Sequence, residues 1–208
     1  SQKFKRVWLG ANPRLHKPRS VLKEGNSFSV LFWGNFIPLQ GVDIIIKAAE
    51  ILQGEAVNFK LIGQGQTLED NKSLAKDLNL SNVSFLGRLP DESLVEHIGA
   101  SDICLGVFSS GEKADITIQN KIYESLASRK PMVTIKTTAL LELLHDGQGI
   151  VFCKKSSPED LAQKILLLKN DPEMRQRIAE EGYNLFKERL TPQKVTQDLS
   201  RILRQLAQ

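Results

Sequence analysis

The chemistry most easily read from this sequence lies in a polar loop that runs into a helix. In SSGEKADITIQNKIYESLASRKP (109–131), residues 109–117 leave an apolar run and feed a helix predicted to start near Ile118. The first turn of a helix carries free N–H groups and the positive end of its dipole, which suit a phosphate. Lys121 lies in or near that turn and would add a countercharge, and Glu124 shares its face three residues on. A carboxylate offers only hydrogen-bond acceptors, so Glu124 suits the hydroxyls of a sugar diol. The same two residues also read as an exposed ion pair worth roughly 0.3 kcal/mol. Residue types alone do not separate the two readings.

Glycines supply the second signal. Gly34, Gly63 and Gly87 each end an apolar run. In open α/β sheets ligands sit beyond the carboxyl ends of the strands, where glycine lets a backbone come close or turn sharply. Any one of them reads equally as a tight turn. Three in equivalent places favour a binding rim. Gly63-Gln64-Gly65 begins like a dinucleotide fingerprint, but the third glycine position holds Leu68, and the motif follows the second strand instead of the first. No P-loop pattern occurs. Two cysteines and three scattered histidines make no metal-ligand spacing, and no D-x-D triplet is present.

These residues need a scaffold, and the pattern around them describes one. Short, nearly continuous apolar runs at 29–34, 58–63, 82–87, 102–108, 131–135 and 149–153 read as strands covered on both faces. Amphipathic stretches near 67–79, 91–99, 118–128, 138–144 and 159–169 alternate with them. In 41–54, Val42, Ile45, Ile46, Ala49 and Leu52 form one apolar helical face. The expectation is an α/β, Rossmann-like open parallel sheet of about six strands with helices on both faces, plus C-terminal helices. The boundaries expected are a basic linker at 1–26, a binding domain at 27–190 and a C-terminal helix at 191–208. That last helix carries Val195, Leu199, Ile202 and Leu206 as a stripe. The stripe would pack on the same domain or cross to another.

Composition excludes several classes. With 208 residues, 41% hydrophobic and 25% charged, the chain can bury a core without staples. Cys104 and Cys153 lie in apolar runs and read as small buried hydrophobes, which suits a cytoplasmic protein. The net charge of +4 is concentrated at the start: Lys3, Lys5, Arg6, Arg14, Lys17, Arg19 and Lys23 face one acid, Glu24, within the first 24 residues. That is a basic arm and not a nucleic-acid-binding face. It leaves open a peripheral contact with an anionic membrane. No run approaches a membrane span in length and no apolar leader is visible; a first residue other than Met suggests a fragment or a processed chain.

VWLGANPRLHKP, VLFWGNFIPLQGVDIIIKAAEIL, FKLIGQGQ, VSFLGRLP and KIYESLASRKPMVTI, in this order, carry a family resemblance over nearly the whole chain. The sequence resembles the C-terminal, donor-binding domain of retaining family-4 (group 1) glycosyltransferases, which have the GT-B fold. The resemblance implies a nucleoside diphosphate sugar as donor substrate, transfer with retention, no cofactor and no obligatory metal. It implies that Glu124 binds the ribose, that Gly34 and the turn after it approach the diphosphate, and that Gly63 and Gly65 line the cleft. Arg88 and Leu89 would lie against the nucleobase. An N-terminal domain outside this sequence would supply the acceptor site.

Three positions depart from the pattern. Where many relatives carry Arg and Lys after the first strand, this sequence has Asn35 and Gln40; Lys121 or Lys113 would have to compensate. Where the family's first Glu of E-x7-E belongs stands Ile116, with Glu112 the nearest acidic replacement and the one candidate for a catalytic role. Two other readings therefore stay in view. One is a non-catalytic GT-B-like binding module. The other is half of a sugar-nucleotide epimerase, which would need His97 or His145 near the sugar.

Overall fold

The computed structural model describes residues 5–19 and 27–206. Six strands form one sheet: β1 (Phe28–Trp33), β2 (Val57–Ile62), β3 (Val83–Gly87), β4 (Ile103–Leu105), β5 (Met132–Ile135) and β6 (Ile150–Cys153). All pair in parallel, in the order β3-β2-β1-β4-β5-β6. The chain builds outward from β1 in one direction, then returns to β4 and builds outward in the other. The switch in strand order lies between β1 and β4, where such sheets place their ligands. The fold is the expected one.

Successive β1 side chains point to opposite faces, and both faces are covered. Val30 and Phe32 enter a core with Ile45 and Ala49 of α1 (Val42–Ile51) and with Leu161 and Ile165 of α7 (Pro158–Asn170). Leu31 and Trp33 enter a second core with Ile98 of α3 (Asp91–Ala100) and with Ile122 and Leu126 of α5 (Asn120–Ala127). The remaining helices are α2 (Leu68–Asp77), α4 (Glu112–Asp115), α6 (Thr138–Leu141), α8 (Pro172–Leu185) and α9 (Pro192–Leu206), with a π-helical turn at Phe186–Leu190. Start signals are explicit where the chain leaves β6. Ser157 Oγ accepts from the Asp160 N–H, and Asp171 Oδ1 from the Met174 N–H, each just before a proline at the first helical position.

Two elements differ from the sequence pattern. The fourth apolar run spans 102–108, yet β4 ends at Leu105. Past Leu105 the Gly106 N–H still donates to the Val133 carbonyl and the Val107 carbonyl accepts from the Ile135 N–H, but the Val107 N–H turns to Thr134 Oγ1 of β5 at 3.2 Å. The chain then leaves the sheet, and the Phe108 N–H donates to the Gln40 carbonyl instead. The loop that follows also contains a short helix, α4, where none was expected.

The described part of the expected linker, 5–19, packs on the body. Ala11 is buried and joins the second core, and Trp8 packs against it. Lys3, Lys23 and Glu24 lie outside the described residues, so the arm's charge balance concerns the sequence alone. At the other end α9 buries none of its residues, and Leu199, Leu203 and Leu206 are exposed. The apolar stripe packs on this domain only in part: Val195, beside Gly10, and Ile202 are half-buried, while Leu199 and Leu206 stay exposed. Among the described residues no helix is long and apolar enough to cross a membrane.

Gly63 shows how tightly the strand ends are drawn together. It has φ +142°, and a Cβ there would collide with the Gly34 carbonyl. Gly63→Ala should therefore destabilise the fold by at least about 2 kcal/mol, read by urea unfolding. A loss under about 0.5 kcal/mol would show that the β1 turn yields freely.

Candidate functional site

The site is built on the carboxyl end of β1. Trp33, its last residue, lies in the second core with its indole edge toward α5, and the Nε1–H donates to Glu124 Oε2 at 2.7 Å. A buried indole has one N–H and needs an acceptor for it. That bond orients the carboxylate and leaves Oε1 available. Glu124 is half-buried.

Lys121, in the first turn of α5, is 5% exposed. Its Nζ donates to Gln40 Oε1 at 2.8 Å and lies 3.9 Å from the centroid of the Phe32 ring. A Cβ on Gly34 would come within 3.3 Å of that same nitrogen, so the glycine makes room for the amine. Lys121 and Glu124 thus turn inward to β1 and to Gln40. The reading as an exposed ion pair fails because Lys121 is buried. Burial pulls the Lys121 pKa down to about 7, opposed first by the charge of Glu124.

A cavity of about 410 Å³ opens beside Glu124. Asn120 and Glu124 form one wall, Asp91 and Leu94 of α3 another, and Leu9 to Asn12 with Leu15 and His16 the third. His16 is buried, and burial lowers its pKa against the opposing charges of Glu124 and Asp91, with Arg19 adding to the lowering.

The expected residues divide into those the structure gathers and those it leaves apart. Gly34, Gln40, Lys121 and Glu124 come together. Gly63 abuts Gly34, and Gly65 abuts the backbone of Phe36, where an added Cβ would lie 2.5 Å from the carbonyl oxygen. Much of the glycine rim is thus explained by how closely these turns pack. Asn35 is exposed on the β1 turn. Arg88 is exposed and Leu89 packs on the second core; neither lines the cavity, which is reached instead by Asp91 and Leu94 of the next turn. Gln40 has its side-chain carbonyl on the Lys121 amine. Ile116 is 75% exposed, and Glu112 is exposed at the start of α4. Asp115 between them is held by Thr138 Oγ1, at 2.6 Å, and by Lys155. Those bonds, strongest first, also keep its pKa low. His97 and His145 do not line the cavity. Burial pushes the thiols of Cys104 and Cys153 up to about 11 and about 12, so neither is a ready nucleophile.

Trp33, His16, Asp91 and Asn120 were not singled out in the sequence. Trp33 carried a faint signal, an indole N–H at the end of a mostly apolar strand. His16 carried none, because it sits in a stretch with no hydrophobic period.

The profile of the family described as glycosyl transferases group 1 matches residues 14–185. An uncharacterized glycosyltransferase of Methanocaldococcus jannaschii is 28% identical over 87% of this chain and 48% of its own length. The capsular polysaccharide biosynthesis glycosyltransferase CapM of Staphylococcus aureus is 22% identical over 94% of the chain and 50% of its own. Among solved structures, Anabaena HepE in complex with UDP and glucose superposes with a TM-score of 0.80 at 20% identity, over 98% of this chain and 56% of that one. The C-terminal domain of a Francisella tularensis group 1 protein, LpcC, superposes with a TM-score of 0.74 at 20% identity, over 88% of this chain and 100% of that one. The chain spans about half the length of the curated relatives it matches.

The depressed Lys121 pKa makes stability depend on pH in a defined direction. Between about 7 and the ordinary 10.5 the unfolded chain holds a proton that the folded chain lacks, so this group adds stability as pH rises through that window. Lys121→Met removes the effect. The stability of the native protein minus that of the variant should grow from pH 7 to 9.5 in denaturant titrations. A difference that stays flat would mean the amine is better solvated than its burial implies.

Proposed function

The chain belongs to the glycosyl transferases group 1 family, and from that membership we propose that it is the donor-binding half of a glycosyltransferase, taking a nucleoside diphosphate sugar at the carboxyl end of β1. The observation that carries this reading is the pairing of Trp33 with Glu124 beside a buried Lys121. It sets an oriented carboxylate and a titratable amine within one helical turn, next to a cavity of nucleoside size. The carboxylate accepts from ribose hydroxyls. The amine and the free N–H groups of the first α5 turn face the diphosphate, whose charge grows as the bond from the anomeric carbon to phosphate oxygen breaks. HepE, described in complex with UDP and glucose, supports a donor of this class.

Transfer with retention and metal independence are parts of the same proposal. Charge neutralisation then falls to Lys121 and the helix end. The other half of the protein would bring the acceptor site and the remaining catalytic groups, with Glu112 kept as the candidate catalytic carboxylate on this side. The exposed leucines of α9 suit a surface that such a domain covers. A cytoplasmic setting, with membrane contact confined to the whole protein's periphery, fits the two buried free thiols.

A second reading is favoured by specific residues. Gln40 is committed to Lys121 and Ile116 points an apolar side chain outward, so a non-catalytic binding module would use the same pocket without turnover. The epimerase reading loses support, since neither His97 nor His145 lines the cavity.

Titration with UDP, GDP and ADP under thermal denaturation tests the proposal. A ligand at about 100 times its Kd adds about 2.7 kcal/mol to the folded state. One of the three should raise the melting temperature, Glu124→Ala should abolish the rise with the fold intact, and Trp33→Phe should weaken binding about tenfold. Wild-type affinity in Glu124→Ala would sink the assignment. Binding without sugar transfer or donor hydrolysis by the full-length protein would favour the module.

A further inference from the structure

His16 belongs to the segment before the sheet, yet its position is set by backbone. The Asn12 carbonyl accepts from the N–H groups of Leu15, at 3.1 Å, and His16, at 2.8 Å, while Asn12 Oδ1 accepts from the Arg14 N–H at 3.0 Å. Upstream, Gly10 lies against the Leu190 carbonyl so closely that no Cβ would fit. A turn pinned in this way delivers the imidazole into the body of the protein at 7% exposure.

There its Nδ1 is buried and has no hydrogen-bond partner among the described residues. Leaving a buried polar atom unpaired costs about 1–3 kcal/mol, a cost a leucine in the same place would not carry. The ring lines the same cavity as Glu124, and the charges of Glu124 and Asp91 both act on it. Burial keeps the imidazole neutral at neutral pH, so it offers one donor and one acceptor nitrogen, whereas Glu124 offers acceptors alone. Two neighbouring groups of this kind match two adjacent hydroxyls. One hydroxyl donates to the carboxylate, and the other bonds to the imidazole.

Resting on the nucleoside diphosphate reading above, we infer that His16 is a binding residue of the same site, which with Glu124 holds the two adjacent ribose hydroxyls and so selects a ribonucleotide over its 2′-deoxy counterpart. The segment that precedes the sheet is then part of the donor pocket and not a mere connector.

The test uses UDP, GDP and ADP and their 2′-deoxy counterparts, titrated calorimetrically into the 208-residue chain and two variants. Wild type should prefer the ribonucleotide about tenfold. His16→Leu keeps an apolar side chain in the wall but no nitrogen. It should melt no lower than wild type and lose the preference. His16→Asn places an amide near the Nδ1 position and should keep most of it. A His16→Leu chain that discriminates as wild type does would overturn the inference, as would one that weakens both nucleotides by the same factor. Wild type that binds both forms equally would also overturn it, while leaving nucleotide binding standing. Wild type that binds none of the six would remove the donor reading and this inference together.

Discussion

A single amine at the end of β1 organises the surrounding turns. Lys121 Nζ is buried between the Phe32 ring and the Gln40 side chain, with one neutral oxygen as its hydrogen-bond partner. Burial shifts a lysine so placed toward its uncharged form, drawing its pKa down to about 7. Its room comes from Gly34, the room for Gly34's carbonyl comes from Gly63, and Phe36 beyond them closes on Gly65. The Phe36 N–H donates to the Gln64 carbonyl, and its own carbonyl accepts from the Thr67 N–H, so the turns after β1 and β2 are stitched to each other. Steric contact thus runs from the helix side chain through three glycines.

This contact changes what the glycine rim means. Strand-end glycines were expected to mark places where a ligand approaches. At 63 and 65 the group that approaches is the neighbouring turn, and at 34 it is the lysine. The rim still builds the site, because it allows the β1 turn and α5 to meet at the switch point. It does so as scaffold. The groups left facing the cavity are side chains: Glu124, Asn120, Asp91 and His16.

How much of this was legible in the sequence follows from the range over which each feature is determined. Strands with both faces buried and helices with one apolar stripe are written in local composition, so α1 and six strands were readable to within a few residues. Lys121 and Glu124 were readable as a pair because their spacing on one helix is local too. Three features depended on contacts across the fold. Where β4 ends, Thr134, from another strand, takes the Val107 N–H. Glu124 is oriented by Trp33, 91 residues away in sequence. His16 is buried because Gly10 meets Leu190 at the far end of the chain. No periodicity records such encounters. Basic residues and prolines around His16 pointed the other way, to a solvated linker.

Gln40 ties these threads to the departure that most complicates the functional reading. A lysine at that position would set two ammonium groups within reach of one another, and burial would force one of them to give up its proton. Glutamine supplies an acceptor instead, and the local cation count falls to one. That remaining cation is conditional, since burial holds its pKa near 7. An anion reaching Lys121 would favour the charged amine, the reverse of what desolvation does. The charge of the site is then not a fixed attractor but one completed by what binds there. The same argument applies to the wall built from His16. In both places the fold leaves a nitrogen short of partners inside the domain, and in both the shortfall lies beside Glu124, whose own geometry is already set by Trp33.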